Sequence, residues 1–164
     1  MRVIEGMAPS NREYGFSFSS ELRAPPEEVW SHSTHMRGVN REFFPLVRMT
    51  WPGADGRLPS PPPFGERLFR SWILLFGLLP MDYDDLTFVE FESGRRFLER
   101  SVMLSQRQWV HERIVTPTEM GCRLTDSVRF IPRLGPLGAL QLGLFRLAFR
   151  WRHRNLRRLF SRGQ

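Results

Sequence analysis

The last part of the chain, residues 136–164, predicts one long amphipathic helix. Its leucines and a tryptophan recur at spacings of three and four residues, which places them along one side of a helix. These apolar positions are Leu137, Leu140, Leu144, Leu147 and Trp151. We expect this side to pack inward, so that the helix covers an apolar face of the rest of the protein.

The residues before this helix alternate between apolar and polar with a period of two, which is typical of half-buried β-strands. Short connections make the later strands antiparallel hairpins. Two short helices, which begin near Pro25 and Met36, follow the first strand. A run of strands followed by one helix buries its apolar face when the sheet curls around that helix. We predict strands over residues 16–21, 46–51, 66–76, 85–92, 95–104, 107–116 and 122–132.

One segment, residues 52–65, contains five prolines and three glycines, which predicts a loop. The 51 residues before it are too few for an independent core, so the loop is not a domain boundary. We interpret residues 1–164 as a single domain, and we expect residues 1–15 to be flexible.

The alternation also predicts which face of each strand points inward. In the strands that begin near Arg95 and Cys122, one face is rich in arginine and is easily solvated. We therefore take the opposite face as inward, together with the face of the middle strand that begins at Trp109. The inward faces then contain four ionisable side chains, namely Glu99, His111, Arg113 and Asp126.

Antiparallel pairing predicts that these side chains meet. A tight turn between the first two of these strands puts Glu99 opposite His111, and a turn that leaves Val115 opposite Cys122 puts His111 opposite Asp126. Directly opposed Cβ atoms lie ~5 Å apart. A buried structural network explains such a row, because buried ionisable groups must be paired. A polar patch on the wall of a ligand cavity explains it as well.

Three aspartates, at positions 82, 84 and 85, flank Tyr83 after an apolar run. Clustered carboxylates suit hard cations, but a solvated turn is the simpler interpretation of this segment. We place Tyr83 at the mouth of the expected cavity.

The composition excludes several kinds of site. Cys122 is the single cysteine, so the chain has no internal disulfide and no cysteine metal site, and a reducing, cytoplasmic setting fits best. The four histidines do not form a metal-binding set, and no phosphate-binding or dinucleotide-binding motif is present. We therefore expect no metal and no cofactor. The longest apolar run, ten residues, is too short to span a bilayer.

The net charge of +7 is concentrated at one end of the chain. All 24 basic residues are arginine, and residues 146–164 contain seven of them and no acidic residue. These arginines would suit the phosphates of an anionic membrane surface or of a nucleic acid. A solvated helix end, with arginines paired to acids such as Glu90 and Glu92, also explains them. The candidate contact residues are Arg146, Arg150, Arg154, Arg157 and Arg158.

Several segments resemble the START/Bet v 1-like (SRPBCC) superfamily. The order of strand, two short helices, six strands and one long helix is the helix-grip order of that superfamily. Residues 18–30 (FSSELRAPPEEVW) resemble its first strand and helix. Three further segments resemble a bacterial branch of the superfamily that is labelled cyclase/dehydrase or ligand-binding. They are residues 80–86 (PMDYDDL), 97–101 (FLERS) and 109–113 (WVHER). The resemblance covers residues 16–160. It implies an α+β helix-grip fold, in which a curved antiparallel sheet of about seven strands wraps around the C-terminal helix.

The resemblance also implies a deep cavity between sheet and helix, used for lipids, polyketides or other hydrophobic molecules. We therefore hypothesise that the protein binds or carries a small hydrophobic molecule. A cyclase/dehydratase-type enzyme is an alternative, in which His111, held by Asp126 or Glu99, acts as general acid or base and Arg113 stabilises an oxyanion. A third hypothesis is an accessory protein that docks through its basic helix. The expected ligand-binding residues are Tyr83, Phe97, Glu99, Trp109, His111, Arg113, Leu124, Asp126, Val128, Leu140 and Leu144.

Overall fold

A computed structural model of the chain describes residues 11–161. The strands are β1 (Tyr14–Leu22), β2 (Val47–Met49), β3 (Arg67–Leu75), β4 (Leu79–Glu92), β5 (Arg96–Met103), β6 (Gln106–Thr118) and β7 (Gly121–Pro132). The helices are α1 (Pro26–Ser33), α2 (Met36–Phe43) and α3 (Gly138–Leu159), the last of which follows a short 3-10 turn. Within this part of the chain, no helix is long and apolar enough to cross a membrane.

The seven strands form one antiparallel sheet in the order β1-β7-β6-β5-β4-β3-β2. The sheet curls around α3, while α1 and α2 connect β1 to the opposite edge strand β2. This arrangement confirms the predicted α+β helix-grip fold. Strand β1 begins two residues earlier than predicted. Residues 1–10 of the segment expected to be flexible, and residues 162–164 of the predicted helix, lie outside the described residues.

Strand β4 differs most from the prediction, because it begins at Leu79 instead of residue 85. The chain reverses earlier, at Phe76 and Gly77, whose φ angles of 51° and 74° are both left-handed. Two consecutive left-handed residues make a tight hairpin, so that Leu75 pairs with Leu79. The three aspartates expected in a turn therefore lie within β4, and Asp84 is buried.

The proline-rich segment 52–65 forms the connection between β2 and β3, as predicted. It is attached to the core by Leu58, which is buried and whose backbone N–H donates a hydrogen bond to the carbonyl of Thr34. This attachment places the loop over the space between the helices and the sheet.

The core consists of two hydrophobic clusters with a layer of charged side chains between them. The inward residues of β6 pass through all three layers in turn. Trp109 belongs to one cluster, His111 and Arg113 belong to the charged layer, and Val115 belongs to the other cluster. The burial of these residues confirms the predicted inward faces of β5, β6 and β7. The charged layer, which we call the ionic layer, consists of Glu42, His111, Arg113, Asp126, Arg152 and His153.

Helix α3 buries a different face from the one predicted. The leucines of the predicted inward stripe are exposed, with Leu140 at 62% and Leu144 at 53%. A second stripe with the same spacing packs inward instead, and it includes Phe145, Phe149 and Leu156. This stripe continues into Arg152 and His153, which the sequence pattern marks as polar. Their burial is stabilised because carboxylates from α2 and β7 meet them.

Candidate functional site

A cavity of about 170 Å³ lies between α3 and the inner face of the sheet. It is bordered by α2 on one side and by Leu58 of the proline-rich loop on another. Most of its wall is apolar, which favours a hydrophobic occupant. The apolar side chains include Met36, Val39, Phe43, Leu86, Phe88, Phe97, Met103, Trp109, Phe145 and Phe149.

A few polar side chains interrupt this wall, and they come from different elements. Ser33 ends α1, Asp84 lies on β4, Glu99 on β5, His111 on β6 and Arg152 on α3. The inner face of the sheet therefore presents an acid–acid–imidazole row to the cavity, and the helix presents a guanidinium.

Four of the residues predicted to bind a ligand line this cavity. They are Phe97, Glu99, Trp109 and His111. The predicted pairing of Glu99 with His111 is confirmed, since these residues are direct partners across β5 and β6.

The other predicted residues lie elsewhere. Four of them are fully buried behind the cavity wall, where they belong to the ionic layer or the hydrophobic clusters: Arg113, Leu124, Asp126 and Val128. Leu140 and Leu144 face outward, as described above. Tyr83 is half-buried on the outer side of β4, where the guanidinium of Arg70 lies 3.8 Å from its ring centroid.

The register between β6 and β7 also differs from the prediction. His111 is opposite Val128, and Arg113 is opposite Asp126. The reason is a shorter turn, because Thr118 still pairs with Gly121 and only two residues connect the strands. His111 nevertheless reaches Asp126 diagonally, with 2.8 Å between Nε2 and Oδ1.

Arg113 is the centre of the ionic layer. Its five N–H groups are all used: they bond Asp126 twice at 2.8 Å, Glu42 at 3.0 and 3.1 Å, and Ser33 Oγ at 3.0 Å. Burial disfavours the charged guanidinium, but the two carboxylates outweigh this effect and raise the pKa of Arg113. With no N–H left over, Arg113 has no donor to offer an oxyanion, so the role predicted for it in an enzyme has no geometric basis.

The two carboxylates of this layer are held in their ionised form. Burial raises the pKa of Asp126, but Arg113 and Arg152 lower it by a larger amount, so that this pKa lies well below the ordinary value. In Glu42, too, burial raises the pKa and the two arginines lower it by more, so that the pKa is lowered overall. Asp126 also meets His153, whose Nε2 lies 3.0 Å from Oδ2. These ionised groups join α2, α3 and the sheet.

His111 connects the ionic layer to the cavity. Burial lowers its pKa, but its interactions with Asp126 and Glu99 raise the pKa by more, and the net shift is upward. Its second nitrogen, Nδ1, lies 3.4 Å from Oε2 of Glu99. The imidazolium form, with a donor on both nitrogens, satisfies both acids at once.

Asp84, which forms an acid pair with Glu99, is the part of the site that the sequence analysis missed. Ser101 Oγ donates a 2.8 Å hydrogen bond to Oε1 of Glu99. Burial and the neighbouring Glu99 raise the pKa of Asp84 well above its ordinary value, so that the pair retains a proton. Oδ1 of Asp84 is buried and has no hydrogen-bond partner among the described residues. The alternation of Asp82, Asp84, Leu86 and Phe88 was the available signal, because it continues the inward face of β4.

Metal binding receives no geometric support in residues 11–161, where no group of three or more histidine, cysteine, aspartate or glutamate side chains is arranged to hold an ion.

Solved structures with this fold come from several sources. Protein CV1439 from Chromobacterium violaceum aligns with a TM-score of 0.70 at 16% identity, over 91% of this chain and 98% of that one. Ara h 8.0201 aligns with a TM-score of 0.63 at 9% identity, over 92% and 99% of the two chains. The di-domain ARO/CYC StfQ from the steffimycin biosynthetic pathway aligns with a TM-score of 0.61 at 10% identity, over 91% of this chain and 51% of that one.

At these identities the likeness shows the fold alone, which is the helix-grip arrangement of a curved antiparallel sheet around a long C-terminal helix. No curated protein sequence matches the chain. A family model described as Domain of unknown function (DUF8410) matches residues 20–160. The chain is therefore a member of the DUF8410 family.

Proposed function

We propose that this protein binds a small hydrophobic molecule in the cavity beneath α3, and that the ligand has a hydrogen-bond donor at one end. The observation that carries the proposal is Oδ1 of Asp84, a buried acceptor without a partner among residues 11–161, in a side chain that lines a mostly apolar cavity. Leaving a buried acceptor unsatisfied costs ~1–3 kcal/mol, and a ligand donor would remove that cost.

The size of the cavity limits the ligand. A volume of about 170 Å³ is close to that of an engineered cavity of ~150 Å³ that binds benzene in another protein. One aromatic ring or a short aliphatic segment fills this space. A larger lipid-like or polyketide-like molecule would place one such segment inside and extend through the opening.

The charges at the polar end favour a neutral donor such as a hydroxyl group. With Asp84 protonated and His111 charged, the carboxylates of Glu42, Glu99 and Asp126 are balanced by three cations: His111, Arg113 and Arg152. A ligand hydroxyl adds no charge to this balance. If the shared proton of the acid pair points from Asp84 to Glu99, Oδ1 is left as a free acceptor.

Calorimetric titration with p-cresol and toluene tests the proposal, because the two probes differ in one hydroxyl. We expect p-cresol to bind about fivefold more tightly, since one net hydrogen bond contributes ~1 kcal/mol. Asp84→Leu should abolish the difference. Asp85→Leu is the matched control, because the neighbouring aspartate lies on the outer face of β4 and pairs with Arg70. Equal binding of the two probes by the unmodified protein would contradict the proposal.

An enzymatic function of the cyclase/dehydratase type is the second candidate, because His111 borders the cavity and is held by Asp126. Its raised pKa favours an acid over a base. Deuterium exchange at the α-carbon of acetophenone, compared between the protein and His111→Gln, tests this candidate. An exchange rate no higher than that of buffer alone would eliminate it.

The proposed ligand binding agrees with the ligand-binding or cyclase/dehydrase-like bacterial branch that the sequence segments resemble. We place the protein in the cytoplasm, where its single cysteine, the buried Cys122, would stay reduced.

A further inference from the structure

The outward side of α3 is divided into two parallel stripes. At about 100° per residue, four exposed leucines of its N-cap and first half fall within an arc of about 80°, and they form what we call the leucine stripe: Leu137, Leu140, Leu144 and Leu147. The neighbouring arc is basic, and we call it the arginine stripe: Arg146, Arg150, Arg154 and Arg157. The leucine stripe therefore lies between the arginine stripe and the face of α3 that borders the cavity.

The arginine stripe is not neutralised by this part of the protein. Among residues 11–161, no carboxylate lies within 4.0 Å of the four guanidinium groups. The acids suggested as partners from the sequence pair elsewhere, Glu90 with Arg96 and Glu92 with Arg95. Some surface arginines elsewhere in this protein do pair with acids, as Arg70 pairs with Asp85.

Exposed aromatic residues extend the leucine stripe beyond α3. Trp151 donates its indole N–H to the carbonyl of Phe44 at 2.9 Å, and the side chain of Phe44 is 71% exposed. Two residues further along, the carbonyl of Leu46 accepts from the backbone N–H of Phe76, whose ring is 60% exposed at the β3–β4 hairpin. The apolar surface thus continues from α3 across the end of α2 to this hairpin.

The cavity opens at the same surface. Most of its lining is buried, but six apolar residues are only half-buried: Val39, Val47, Met49, Ile73, Phe145 and Ala148. They lie on α2, β2, β3 and α3. Phe44 directly follows α2, Phe76 directly follows β3, and the leucine stripe is on α3. The elements that form the half-buried part of the lining therefore also carry the exposed apolar residues.

We propose that this surface docks on an anionic phospholipid bilayer. The leucine stripe, Phe44 and Phe76 enter the boundary between headgroups and acyl chains, and the arginine stripe contacts the phosphates and anionic headgroups. Docking does not require a ligand in the cavity. Docking does place the opening of the cavity against the apolar part of the bilayer, so that a hydrophobic ligand passes between cavity and bilayer without crossing water.

Two other occupants fit the surface less well. A second copy meeting the same face would bring two arginine stripes together across a two-fold axis, and like charges oppose that contact. A nucleic acid would match the arginines, but it offers no apolar surface that would cover the leucine stripe. A bilayer matches both stripes.

Sedimentation of the full chain with lipid vesicles tests the proposal. We expect binding to phosphatidylcholine vesicles that contain phosphatidylserine, weaker binding to phosphatidylcholine alone, and a decrease as salt is added. The triple variant Arg146→Gln, Arg150→Gln, Arg154→Gln should bind about 100-fold less, since each arginine near an anionic surface contributes roughly fivefold. The variant Leu140→Gln, Leu144→Gln, Leu147→Gln should lose binding at every salt concentration.

Matched controls change the same residue types elsewhere. Arg37→Gln, Arg57→Gln, Arg100→Gln removes the same charge, and Val102→Gln, Leu104→Gln, Met120→Gln replaces exposed apolar residues away from α3. Both controls should bind vesicles as the unmodified protein does.

Four results would overturn the proposal. They are no binding to anionic vesicles at low salt, equal losses in the control variants, binding to a DNA duplex as tight as to vesicles, and a dimer that the leucine variant dissociates.

Discussion

Replacing Arg113 with methionine should destabilise the protein by about 3–5 kcal/mol at neutral pH, the usual cost of breaking a buried ion pair. The change removes five hydrogen bonds and leaves the carboxylates of Asp126 and Glu42, both 0% exposed, without their main counter-ion. The cost stays within this range because Asp126 keeps two histidine neighbours and Glu42 keeps Arg152.

The effect of Arg113→Met should depend on pH in a defined direction. In the unmodified protein the pKa values of Asp126 and Glu42 are lowered, so their stabilisation is present above the unfolded-state pKa of about 4 and is lost as pH falls through the folded values. In the variant, burial dominates and raises both pKa values above about 4. The variant therefore gains stability as pH falls toward 4, and the difference from the unmodified protein shrinks.

Urea unfolding followed by circular dichroism, at about pH 7 and at about pH 5, measures both effects. Arg123→Met is the matched control, because Arg123 is an exposed arginine that pairs with an exposed Glu21, and its loss should cost less than about 1 kcal/mol. A loss below about 1 kcal/mol for Arg113→Met, or a difference that does not change with pH, would refute the account of the ionic layer.

Three further predictions concern single residues. Asp84→Asn should flatten the fall in unfolding free energy as pH rises above the unfolded-state value of about 4, because the raised pKa of Asp84 makes the folded state keep a proton that the unfolded state has lost; parallel curves in urea titrations would contradict this. Gly38→Ala should lower the thermal midpoint, because a Cβ there would lie 2.0 Å from the carbonyl of His32, whereas Gly143→Ala, which meets nothing within 4 Å, should stabilise α3 by up to ~1 kcal/mol. Phe149→Ala should cost ~3–5 kcal/mol and enlarge the cavity, so that calorimetry shows 2-naphthol gaining affinity relative to p-cresol.

Period-two alternation was sufficient to predict most of the strands and the inward faces of β5, β6 and β7, because a strand with one buried face leaves little choice of orientation. The pairing of Glu99 with His111 followed from that pattern and a tight turn. The next hairpin was placed two residues out of register, since the composition of residues 117–121 does not distinguish a five-residue turn from the two-residue turn that forms. Register depends on turn length, and the pattern of alternation is unchanged by a shift of two.

The prediction failed at α3 and at β4 for a different reason. Both stripes of α3 have helical spacing, and the one that packs inward contains Arg152 and His153, whose burial depends on Glu42 and Asp126. Partners so distant in sequence leave no local signal. Asp84 was misplaced because two left-handed residues move the hairpin upstream, and a phenylalanine at one of them is not a turn signal.

The uneven attachment of α3 has a mechanical consequence. The second half of the helix is fastened by Arg152, His153 and Asn155, whereas Phe145 is half-buried and the nearby leucines contact little. A widening of the cavity would tilt the first half of the helix around a pivot near Phe149 and leave the charged contacts intact. Opening of the cavity is then opposed only by the apolar contacts of the first half of the helix, so that a ligand can exchange with the outside much faster than the whole protein unfolds.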